Sequence, residues 1–128
     1  PQPVDPWTQA LPVVRTAVVI SVDCYDDRAI PPLVHCARDA QQVAYTLRGM
    51  GYCVRLLDGQ GGAPAPTRLQ ILKEVACARD TACAGGAPPL LYFCGRGGVL
   101  QGQYPDICSP EGAGTPFIMP ADARSSAL

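Results

Sequence analysis

Histidine is nearly absent from this chain: His35 is the only one in 128 residues. Cysteine is more common, but Cys24, Cys36, Cys53, Cys77, Cys83, Cys94 and Cys108 form no C-x-x-C pair. A structural zinc site would need such pairs or more histidines. An odd count of seven also gives no disulfide framework. The expectation is small, buried, reduced thiols in a reducing, cytoplasmic setting. Charge is scarce too. The net charge is −1 and the basic residues are scattered, so no footprint for nucleic acid is present. No apolar run approaches membrane-spanning length, and no basic-then-apolar leader opens the chain. Neither a membrane nor a nucleic acid is therefore an expected partner. Gly95-x-Gly97-Gly98 lacks the third glycine of a dinucleotide fingerprint, and no Gly-x-x-x-x-Gly-Lys loop occurs.

What is present reads as one modest globular domain, with 48% hydrophobic and 16% charged residues. Residues 1–14 form a proline-rich arm, with Trp7 as the side chain expected to dock it. Residues 15–128 form the domain. Arg15–Val22 is β-branched and apolar, which predicts a central parallel strand. Asp23–Pro32 is a polar loop. Leu33–Met50 has apolar residues at helical spacing and stops at Gly49 and Gly51. Tyr52–Leu57 predicts a second strand and Asp58–Pro66 an exposed loop. Thr67 is a good helix N-cap, and Leu69, Leu72, Val75, Ala76 and Arg79 line up behind it. Leu90–Phe93 predicts a fully buried third strand that exits through a tight glycine turn. Val99–Thr115 reads as a long loop, and Pro116–Pro120 as a short extended segment. Strands alternating with helices give a parallel, doubly wound α/β sheet.

Three stretches in this order resemble the caspase-like cysteine peptidases, and metacaspases most. The first is Thr16–Val22 with Leu33-Val-His-Cys-Ala-Arg-Asp-Ala40 and Leu47-Arg-Gly-Met-Gly-Tyr52. The second is Pro66-Thr-Arg-Leu-Gln-Ile-Leu72, and the third is Tyr92-Phe-Cys-Gly-Arg-Gly-Gly98. Ile118-Met-Pro-Ala-Asp122 is similar to a later Ile-x-Pro-x-Asp segment. The resemblance implies a three-layer α/β fold, with a mostly parallel central sheet, helices on both faces and an early end to the domain.

It also implies where the chemistry should lie. Arg96 stands where the family has its catalytic histidine. A histidine can take a thiol proton near neutral pH, whereas a guanidinium cannot act as a base. The family nucleophile lies in an Asp-x-Cys motif beyond Ile-x-Pro-x-Asp. This chain reaches Leu128 without one past Asp122. Gly97 occupies the position whose amide joins the oxyanion hole in the family, or is a plain turn glycine. Cys36 and Asp39 match positions that line a pocket for a basic substrate side chain. The alternative for Asp39 is a pair with Arg38 or a cap on a neighbouring loop. Cys94, at the family's serine position, is read as a packed small side chain, and His35 as a surface residue. Asp106, Glu111 and Asp122 are too scattered for the family's calcium cluster, so no cofactor is expected.

The expected function is that of an inactive relative of the cysteine endopeptidases, acting as a binding or regulatory module for a protein or peptide. The alternative is a fragment of an endopeptidase cleaving after Arg or Lys. A homodimer through an exposed sheet edge is a further expectation. Arg96 is expected at the carboxyl end of the third strand, paired bidentately with Asp39 or Asp23.

Overall fold

A computed structural model of the chain describes residues 13–100 and 114–125. Its elements run β1 (Thr16–Ser21), α1 (Cys36–Gly49), β2 (Cys53–Leu57), α2 (Arg68–Cys83), β3 (Leu90–Cys94), β4 (Gly97–Leu100) and β5 (Thr115–Ile118). Strands β2, β1 and β3 form one parallel sheet in that order, with β1 at its centre. A run of buried β-branched residues accounts for that place, since both faces of β1 are covered. Ala17 and Val19 face α1 and pack on Ala40, Ala44 and Leu47. Val18, Ile20 and Val22 face α2 and pack on Ile71 and Ala78. The result is the expected three-layer α/β arrangement.

Local chemistry sets the helix ends. Thr67 accepts a hydrogen bond from Gln70 N (3.3 Å) and opens α2. Gly51, at φ +90°, lies just past the end of α1, where a left-handed residue is needed. The start of α1 falls three residues later than Leu33, because its first N–H groups are met by Asp23 rather than by a neighbour in sequence.

Several expectations change. The buried residues of α2 are Ile71, Glu74 and Ala78, while Leu69 and Leu72 are 78% and 52% exposed. A charged residue occupies the inner face because Arg55 on β2 reaches over to pair with it. Strand β3 is only half-buried and Leu91 is 55% exposed, since β3 is an edge strand among the described residues and α2 packs on β1. The glycines after β3 do not merely form a turn. Gly97–Leu100 pairs antiparallel with Thr115–Ile118 as a separate two-stranded sheet. The extended segment around Pro116 is thus a strand, within a two-stranded ribbon where proline is tolerated. The thiols are mostly not buried: Cys24, Cys53, Cys77 and Cys83 are exposed, Cys94 is half-buried and Cys36 alone is buried. Trp7, Cys108 and the middle of the Val99–Thr115 loop lie outside the described residues.

The stretch after β5 ties the elements together. Ala121 is buried on the α2 side; its N–H donates to Pro66 O (2.9 Å), and its carbonyl accepts from Asp26 N (2.9 Å). Asp122 accepts from Arg68 N (2.8 Å) at the start of α2. Asp27 accepts from both the N–H (2.7 Å) and the hydroxyl (2.8 Å) of Ser125. These bonds, with one from Ala29 N, lower the Asp27 carboxyl below its ordinary range.

Candidate functional site

Parallel pairing of β1 with β3 brings their carboxyl ends to one edge of the sheet. Val22 N donates to Cys94 O (2.9 Å) and extends that pairing by one residue. The loop after β1 then turns over the strand ends. Asp23 organises it. Its carbonyl accepts from Leu33 N (2.7 Å), and its carboxylate accepts from Cys36 N (2.9 Å) and Ala37 N (3.0 Å). A carboxylate on the first N–H groups of a helix is favoured by the helix dipole. His35, the N-cap residue, makes no side-chain capping bond and is exposed.

Arg96 lies two residues past the end of β3 and is fixed by three hydrogen bonds. Its N–H donates to Tyr25 Oη (2.8 Å), its Nε donates to Pro31 O (2.7 Å), and its carbonyl accepts from Met119 N (2.8 Å). No carboxylate pairs with it: the ion pairs among the described residues are Arg55–Glu74 and Arg79–Asp80. The expected bidentate pair with Asp23 or Asp39 is therefore not formed. Both oxygens of Asp23 are taken by helix N–H groups. Asp39 is exposed in the first turn of α1; its N–H donates to His35 O (3.0 Å), while its carboxylate has no hydrogen-bond or ion-pair partner, whether Arg38 or a loop, among the described residues.

Under α1 the side chains alternate along the strands. Leu90 and Tyr92 of β3 pack on the α1 side, which sends Cys94 the same way. Ser21, opposite Cys94 in the register, follows Ala17 and Val19 to that face. Cys36 continues the buried stripe of Ala40, Ala44 and Leu47. Cys36, Ser21 and Cys94 thus form the uppermost layer of the α1 interface. Burial pushes the Cys36 thiol up to about 12, helped by Cys94 and then by Asp23. Tyr25 is likewise raised, chiefly by burial, against the opposing pull of the Arg96 N–H and guanidinium.

Gly97 opens β4. A Cβ there would lie 2.7 Å from the Phe117 carbonyl oxygen, so strand pairing with β5 is enough to demand glycine. That requirement stands whatever the Gly97 amide does. Among the described residues no three His, Cys, Asp or Glu side chains gather as metal ligands. Asp122 is engaged with α2, while Asp106 and Glu111 lie outside the described residues. No helix among them is long and apolar enough to cross a membrane.

The strand-end site thus contains a fixed cation and two thiols, with the exposed carboxylate of Asp39 on the first turn of α1. It can donate hydrogen bonds and attract charge of either sign, but Arg96 cannot accept a proton. Tyr25 was not anticipated as part of it. Its one signal was being the sole aromatic residue in the polar Asp23–Pro32 loop. The Pro31 carbonyl carries no sequence signal at all.

A family model described as the caspase domain matches residues 14–125. No curated protein and no solved structure among those compared matches the chain.

Proposed function

The chain belongs to the caspase-domain family, and on that premise we propose that it is a metacaspase-like, cytoplasmic pseudoenzyme whose cleft binds a protein or peptide without cleaving it. The observation that carries this reading is the setting of Arg96. Arg96, which the family resemblance aligns with the general base, is held by its backbone N–H on the Tyr25 hydroxyl and by its guanidinium Nε on the Pro31 carbonyl. A permanent cation can lower the pKa of a nearby thiol, but it cannot shuttle the proton that peptide cleavage requires. Asp39, exposed and unpaired, is the group that would receive a basic side chain of the bound peptide. Strand β3 runs uncharged from Leu90 to Cys94 along an edge of the sheet formed by the described residues, and the same reading includes a homodimer paired there.

Titration calorimetry with Arg-terminated and Ala-terminated peptides tests the binding half. The Arg peptide is expected to bind more tightly, and Asp39→Asn to erase the difference. Equal affinity for both peptides in the unmodified protein would refute Asp39 as the recognising group. For the other half, an Asp-x-Cys motif in the coding sequence beyond Leu128 would favour a fragment of an active peptidase. An Arg96→His variant that gains turnover would show that the base alone had been lost.

A further inference from the structure

The two thiols under the start of α1 carry a separate inference. Cys36 and Cys94 come from segments 58 residues apart (94 − 36), yet both are anchored to consecutive residues of one strand end. Val22 N binds the Cys94 carbonyl (2.9 Å), and the carboxylate of the next residue, Asp23, binds Cys36 N (2.9 Å). Side-chain alternation then points Cys94 toward α1, and the buried stripe of α1 points Cys36 toward the sheet. Opposite Cys94 in the register lies the Ser21 hydroxyl, buried and with no hydrogen-bond partner. The two sulfurs differ in access: Cys36 is 7% exposed and Cys94 is half-buried. The other described cysteines are exposed elsewhere, on the β1–α1 loop (Cys24), β2 (Cys53) and α2 (Cys77 and Cys83).

We propose that Cys36 and Cys94 are a reversible dithiol–disulfide pair in the floor of the cleft, closed by exchange with a low-molecular-weight disulfide. Cys94, the accessible sulfur, loses its proton to solvent and attacks one sulfur of the small disulfide. One small thiolate leaves, and a mixed disulfide remains on Cys94. Cys36 then loses its proton and attacks the Cys94 sulfur, expelling the second small thiolate. Two protein thiols are oxidised and one small disulfide is reduced to two thiols. The order follows from burial, which keeps Cys36 protonated and out of reach of the first reagent. The bond joins the first turn of α1 to the end of β3 and removes both thiols from the cleft beside Arg96. It goes beyond the peptide-binding reading, because it forms whether or not a peptide binds.

The test uses the full chain incubated natively with oxidised glutathione, quenched in acid, alkylated under denaturing conditions and digested with trypsin. Cys36 falls in the peptide Ala29–Arg38. Cys94 shares Asp80–Arg96 with Cys83, so fragmentation must assign the bridge, and a Cys83→Ser chain removes the ambiguity. The expected result is a Cys36–Cys94 bridge as the main intramolecular link, reversed by dithiothreitol. In Cys36→Ser, Cys94 should instead stop at the glutathione adduct. Recovery of Cys36 as a free alkylated thiol after Cys94 has fully reacted would overturn the proposal. So would a bridge from Cys94 to Cys24, Cys83 or Cys108.

Discussion

Arg55 and Arg96 both follow apolar strand residues, yet the fold uses them in opposite ways. Arg55 lies within β2 and forms a two-pronged pair with Glu74 of α2, Nε to Oε2 at 3.1 Å and Nη2 to Oε1 at 3.2 Å. Glu74 is buried, and Gln70 donates a third bond to it at 3.2 Å. Arg96 lies beyond β3, and among the described residues its guanidinium meets only the Pro31 carbonyl. The buried ionisable groups differ in parallel. On the α2 side a carboxylate is buried and paired. In the cleft a thiol is buried and its neutral form is favoured. A helix packed across a strand offers side chains at the right height for a fork, as α2 does for Arg55. The loop over the strand ends offers carbonyls to Arg96, because, of its carboxylates, Asp23 is used by α1 and Asp27 by Ala29 and Ser125.

The contrast can be broken by measurement. Arg55→Ala should have the largest effect, because it leaves Glu74 buried with Gln70 as its remaining donor. A buried group stripped of its partner costs about 1–3 kcal/mol, and the low end applies since the Arg55 side chain is 72% exposed. Arg96→Ala, which removes one bond to a carbonyl, should cost about 1 kcal/mol or less in the same denaturant titration. If Arg96→Ala proved the more destabilising change, the contrast would collapse.

A pH series sharpens the second half of the comparison. The ordinary value for the Cys36 thiol is 9.0, and burial in the fold raises it to about 12. The folded state therefore retains this proton more tightly than the unfolded state. Its contribution to stability is complete below pH 9 and is lost as pH climbs toward 12. Cys36→Ala should flatten the fall in melting temperature over that window, and an unchanged slope would count against a buried neutral thiol. The smallest expected effect is on the edge of β3. Leu91→Lys, at an exposed position, should change stability by about 0.5 kcal/mol or less while abolishing any dimer seen by light scattering. A dimer that survives the change would not be paired along β3.

How much of this was legible in the sequence depends on how local the cause is. Arg15–Val22 read as the central strand because burial on both faces leaves a continuous apolar run. Thr67 read as a cap because its partner is three residues away. The inner face of α2 was misread because Glu74 is buried only by virtue of Arg55, 19 residues earlier. Strand β4 was missed because Gly97 and Gly98 look like turn residues, whereas they are needed to admit the Phe117 backbone and ring. In the site, the position of Arg96 at a strand end was foreseeable from the parallel arrangement. Its partners were not, since a carbonyl such as that of Pro31 is invisible to residue type.

The most direct test of the central claim is turnover of fluorogenic Arg and Lys peptides by the full chain, with and without calcium, before and after alkylation. The account predicts no turnover in any arm, because the proposal puts Arg96, whose guanidinium is bound to the Pro31 carbonyl, where a base is required. Steady cleavage that is abolished by alkylating a single cysteine would contradict it.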